Sequence, residues 1–142
     1  MKKSTSELLE LMKNYSEYTQ YLSENREDIN PDHMKLDRAL NILLIDKSKR
    51  KADVIAASGI ESHYAYQIFS GMKTPTRDKV LMLCIAFGLT PEETNNFLRL
   101  TGYAQLYGKE GRDNAVLFGL TKHLSVIDVN EILYELGFSL LN

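Results

Sequence analysis

Three observations predict an all-α fold for this 142-residue chain. Apolar residues recur at intervals of three and four from end to end, no segment sustains the period-two alternation of a half-buried strand, and glycines stand where helical patterns stop. With 44% apolar and 25% charged residues, 8 Gly and 3 Pro, the composition is that of an ordinary globular protein and excludes collagen-like, low-complexity and disordered classes.

The elements follow in order. Ser4 and Glu7 have capping-box spacing, and Leu8, Leu11, Tyr15, Tyr18 and Leu22 continue the stripe, which predicts a first helix from Thr5 to Ser23. Its Tyr15, Tyr18 and Tyr21 read as a packing stripe in preference to a platform for stacking bases. The polar run Glu24 to Pro31 reads as a connector, so residues 1–33 form an N-terminal accessory helix and linker. A second helix spans Met34 to Asp46, with Leu36, Leu40, Leu43 and Leu44 on its buried side. Two short helices follow, Arg50 to Ser58 and Glu61 to Ser70, with a turn at Gly59 and a stop at Gly71. The next helix opens at Pro75 and Thr76 and stops at Gly88. Thr90-Pro91-Glu92-Glu93 supplies a cap, a proline at the first helical position and a capping-box glutamate for a helix running to Thr101. Helices over Arg112 to Lys122 and from Ser125 to near Leu136 make residues 102–142 a C-terminal extension.

Charge is unevenly spread. The net charge is −2, but residues 34–80 carry 9 basic and 5 acidic side chains, while residues 1–33 and 81–142 each carry 4 and 7. Only the central +4 bears on a polyanionic partner. The single Cys84, inside the apolar run, forms no intramolecular disulfide and reads as a core residue of a protein in a reducing compartment. His33, His63 and His123 lack any metal-ligand spacing, so neither metal nor cofactor is expected. The longest apolar run, Val80 to Leu89, is ten residues, and a bilayer span needs roughly 20. Glu7 and Glu10 interrupt the stretch a signal peptide would need, so a cytoplasmic location with no membrane association is expected. No paired carboxylates, Ser-His-Asp set or Cys-His set has supporting context, which argues against an enzyme.

Two short helices joined at a glycine are the helix-turn-helix pattern. The bend wants Gly59, because left-handed backbone is cheap only without a Cβ; Ile60 then fills the angle between the helices, and Val54 and Ile68 complete the small core. The stretch GIESHYAYQIFSGMKTPTRDKVLMLCIAFGLT, Gly59 to Thr90, resembles the lambda-repressor-like (xenobiotic-response-element type) helix-turn-helix family in its turn glycine, recognition helix, Gly-x-x-x-Pro loop and Gly-Leu-Thr stop. The resemblance covers a five-helix unit over residues 34–101, flanked by additional N-terminal and C-terminal helices. It implies a repressor-like transcriptional regulator that binds double-stranded DNA as a homodimer, with helix 61–70 in the major groove. Carried over by position, Ser62, His63, Tyr66 and Gln67 would face bases, and Lys49, Arg50, Lys51, Lys73 and Arg77 would hold phosphates. The Gln67 amide suits a two-pronged contact to adenine.

Three departures from the family pattern carry expectations. Ile55 replaces a small residue and Ala65 a larger one, a volume-conserving exchange that predicts contact between the two. Glu61 sets a carboxylate where DNA phosphates would be close, a repulsion that weakens binding unless Glu61 caps the helix or pairs with a base amine. Phe69, Met82 and Ile85 add apolar surface to an already apolar neighbourhood, so the terminal helices or a dimer interface should cover them. The competing reading is a degenerate helix-turn-helix that serves as an adaptor or sensor subunit for a regulatory protein partner, favoured by Glu61 and the acidic flanks. Met82→Lys is expected to destabilise the protein or its assembly in thermal unfolding and sedimentation, and unchanged behaviour in both would contradict the burial of this helix.

Overall fold

The computed structural model describes residues 3–25 and 33–142, and every described element is an α-helix. The chain divides into two compact units, Met1–Asp32 and His33–Asn142. No helix among the described residues is long and apolar enough to cross a membrane.

The first unit corrects the expected single helix Thr5 to Ser23. It holds two helices, α1 (Thr5–Met12) and α2 (Tyr18–Asn25). The break falls on Asn14 and Ser16, whose side chains compete with helical backbone bonding, and Tyr15 N–H closes a turn onto the Met12 carbonyl. At the start of α1, Ser4 Oγ accepts the Glu7 N–H at 3.2 Å, as the capping spacing predicts. The tyrosines form a ring cluster around buried Tyr21, with Tyr15 edge-on at 5.6 Å and Tyr18 tilted at 6.0 Å. Tyr15 also donates to Glu24, which holds its hydroxyl above the ordinary tyrosine range. Of the expected connector, Glu24 and Asn25 belong to α2, and the remainder to Pro31 lies outside the described residues.

The second unit contains α3 (Leu36–Asp46), α4 (Lys51–Ser58), α5 (Ser62–Ser70), α6 (Arg77–Phe87), α7 (Pro91–Thr101), α8 (Gly111–Thr121) and α9 (Val126–Glu135). Helix α3 begins two residues later than expected, after Lys35 in extended conformation as its N-cap, and the Met34 N–H bonds the Leu100 carbonyl at 2.9 Å. The divide expected after residue 101 falls inside this unit: α8 packs on α7, and α9 on both α6 and α8. Gly119 permits the α8–α9 approach, because a Cβ there would stand 2.4 Å from Val129 Cγ2.

Helix α6 is the centre of the core. Val80 through Ile85 and Phe87 are all buried, and the helix packs against α4, α7 and α9, the several-sided cover that its all-round apolar surface demands. Met82 and Ile85 are 6% and 7% exposed within the single chain, so a dimer interface is not needed to cover them. Phe69 is buried where α5 meets α3, its carbonyl accepting from Asn41 Nδ2 at 3.1 Å. Burial pushes the Cys84 thiol up to about 12, which keeps it protonated at neutral pH.

Two Arg-Asp dipeptides, each in the first turn of a helix, exchange partners. From α6, Arg77 forms a two-pronged pair with Asp113 of α8 at 3.0 and 2.9 Å. From α8, Arg112 forms the same pair with Asp78 of α6 at 2.9 and 2.8 Å. The remaining guanidinium donors close on irregular backbone: Arg77 on the Ala104 and Gln105 carbonyls, Arg112 on those of Ser139 and Leu140. Arg112 beside Asp78 holds that carboxyl below the usual range. For Asp113, burial acts to raise the value, but Arg77 and the Tyr107 N–H together outweigh it and the net shift is downward.

Folded-state values below the unfolded ones mean that this stabilisation is complete above the unfolded carboxylate range, about pH 4, and is lost as pH falls through the folded values. Asp113→Asn is expected to lower stability by about 1–3 kcal/mol at pH 7 in denaturant titration. The Asp78→Asn, Asp113→Asn double variant should also flatten the loss of stability below pH 4. An acid limb as steep as that of the unmodified chain would contradict the pairing.

Candidate nucleic-acid interface

The α4–α5 pair is built from the residues named for it in the sequence. Gly59 closes α4 in left-handed conformation, with φ at 75°. The fully buried Ser58 seals the bend: its Oγ donates to the Ile55 carbonyl at 2.7 Å and accepts the Ile60 N–H at 3.1 Å. Val54, Ile55, Ile60, Ala65 and Ile68 are all buried and belong to the same hydrophobic core, with Ala65 wholly enclosed and Ile55 4% exposed.

Burial of Ala65, Ile68 and Phe69 fixes the rotation of α5. Its opposite face therefore carries exposed Ser62, His63 and Tyr66, with Gln67 half-buried beside them. The backbone N–H groups of Met72 and Lys73 fold back onto the Gln67 carbonyl, which sets Lys73 beside the last turn of α5. At the start of α4, Lys49 and Arg50 are exposed, and half-buried Lys51 stands 5.5 Å from the centre of the Phe69 ring. None of Lys49, Arg50, Lys51 and Lys73 forms an ion pair among the described residues.

Arg77 is a correction. Its guanidinium makes four hydrogen bonds to Asp113, Ala104 and Gln105, so the donors that a phosphate would need are already committed to the fold. Thr74 and Thr76 are exposed in the loop after α5, and Thr76 makes no side-chain cap bond at the start of α6.

Glu61 is the cap of α5. Its carboxylate accepts the Tyr64 N–H at 2.7 Å and the His63 N–H at 2.9 Å, and these bonds hold it below the usual carboxylate range. The two N–H groups a phosphate would seek at this helix start are therefore occupied by a fixed negative charge.

The fold and this surface define a class: an all-α protein presenting a tight helical pair with one polar face and unpaired cations on its flanks. No protein-family model, no curated protein and no solved structure matches the chain.

Glu61→Gln keeps an acceptor at the cap while removing the charge. If a phosphate of duplex DNA approaches the start of α5, this change is expected to tighten binding about two- to fivefold at low salt in fluorescence anisotropy, an effect lost at high salt. Equal or weaker binding would show that no phosphate comes near the start of α5.

Proposed function

We propose that residues 34–101 act as a lambda-repressor-like helix-turn-helix unit that binds double-stranded DNA sequence-specifically, with α5 in the major groove. The observation that carries the reading is the two-sided character of α5: Ala65, Ile68 and Phe69 are locked into the core while Ser62, His63 and Tyr66 are exposed and Gln67 is half-buried, with Lys51 at the Phe69 ring and the Lys73 N–H bonded to the Gln67 carbonyl. Ser62, His63, Tyr66 and Gln67 would contact base edges, and Lys49, Arg50, Lys51 and Lys73 would contact phosphates. The reading implies a cytoplasmic transcriptional regulator, repressor-like and homodimeric, that binds a near-palindromic operator.

Glu61 favours a second reading. Since its carboxylate fills the start of α5, the pair could serve instead as a scaffold for a regulatory protein partner.

Salt separates the two. On the DNA reading, the logarithm of affinity falls steeply with the logarithm of salt, Lys73→Ala flattens that slope by about one unit, and Gln67→Ala costs about 1–3 kcal/mol at one base position. A salt-independent or undetectable interaction with duplex DNA would move the assignment to the protein partner.

A further inference from the structure

The outer face of α9 carries a second candidate surface, independent of α4–α5. Val126, Val129 and Leu133 bury one side of the helix. The other side presents Ile127 and Tyr134, one heptad apart and 72% and 77% exposed. With Leu140 they line an apolar groove of about 370 Å³, whose remaining walls are Asn130, Glu131 and Glu135.

This groove is held open by the fold. Asn130 clasps the backbone of buried Leu141 from both ends of its amide, accepting the N–H at 2.8 Å and donating to the carbonyl at 3.2 Å. Arg112 fixes the Ser139 and Leu140 carbonyls at 2.9 and 3.0 Å. Leu140 is thereby fixed as a wall opposite the helix, so a partner meets a preformed site and the ordering cost of binding is reduced.

Charge identifies the partner. Residues 124–142 contain Asp128, Glu131 and Glu135 and no Lys, Arg or His, and none of the three carboxylates forms an ion pair among the described residues. A second copy packed face to face would bring like carboxylates together, and an anionic membrane surface would be repelled. We propose that the α9 groove receives a basic amphipathic helix of a partner protein, its apolar residues at i, i+3 or i+4, and i+7 seated on Ile127, Tyr134 and Leu140 and its Lys or Arg side chains facing Glu131 and Glu135.

The test uses the full chain and a labelled helical peptide of Leu and Lys with that spacing, beside a Leu and Glu peptide of the same pattern. Saturable anisotropy is expected with the Lys peptide alone. It should weaken about tenfold in Ile127→Ser, Tyr134→Ser, whose side chains are exposed, and weaken as well in Glu131→Gln, Glu135→Gln. Lys73→Ala should leave it unchanged, which keeps the result separate from any DNA affinity. Absence of binding, binding indifferent to these substitutions, or a concentration-dependent dimer in sedimentation that Tyr134→Ser abolishes would overturn the proposal.

Discussion

The exchange of partners between Arg77-Asp78 and Arg112-Asp113 ties the start of α6 to the start of α8. The two helix starts are locked by planar, two-pronged pairs, and the spare donors of each guanidinium reach a segment with no regular structure of its own. Residues 104–105 and 139–140, which have no ladder or helix to satisfy their carbonyls, are satisfied this way. With α8 fixed on α6, α9 is held where Val126 approaches the α4–α5 bend: a methyl added at Gly59 would stand 3.9 Å from Met82 Cε and 4.0 Å from Val126 Cγ1. The C-terminal helices therefore back the helical pair, and the same network sets one wall of the α9 groove.

That network also sorts the cations. Lys47 pairs with Glu93, and Arg77 and Arg112 with their aspartates, so these charges serve the fold. Among the cations near α5, Lys49, Arg50 and Lys73 face solvent, while Lys51 is partly turned onto Phe69 and Lys79 onto Tyr64. A polyanion would meet these groups, and the charge of the chain as a whole is a poor guide to them.

Much of the fold is legible in the sequence because helix starts and stops are local events. Thr90 with Glu93 forms the reciprocal box its spacing announces, Ser125 caps the last helix, and Gly59, Gly71, Gly88 and Gly102 end helices in left-handed conformation. The apolar surround of α6 likewise forecast burial on several sides. What spacing could not supply is pairing at a distance: Arg77 and Asp113 are 36 residues apart, and nothing local distinguishes a clamped arginine from a free one. The repeated Arg-Asp dipeptide was the available signal. The first helix was overrun for a different reason, since a tyrosine stripe continues across Asn14 and Ser16 although the backbone does not. Glu61 was ambiguous between repelling a phosphate and capping a helix, and its two backbone bonds make it a cap without removing its charge.

Taken together, the second unit is an α-helical body with an outward polar face on α5 and an acidic apolar groove on α9. The first fits the duplex-binding reading, the second a basic helix, and they share no residues. The proposed reading of base sequence by the α5 face is tested by selecting bound duplexes from a random-sequence pool at low salt: a near-palindromic motif with half-sites about one helical turn apart is expected to be enriched, and a pool left without any enriched sequence would overturn that reading.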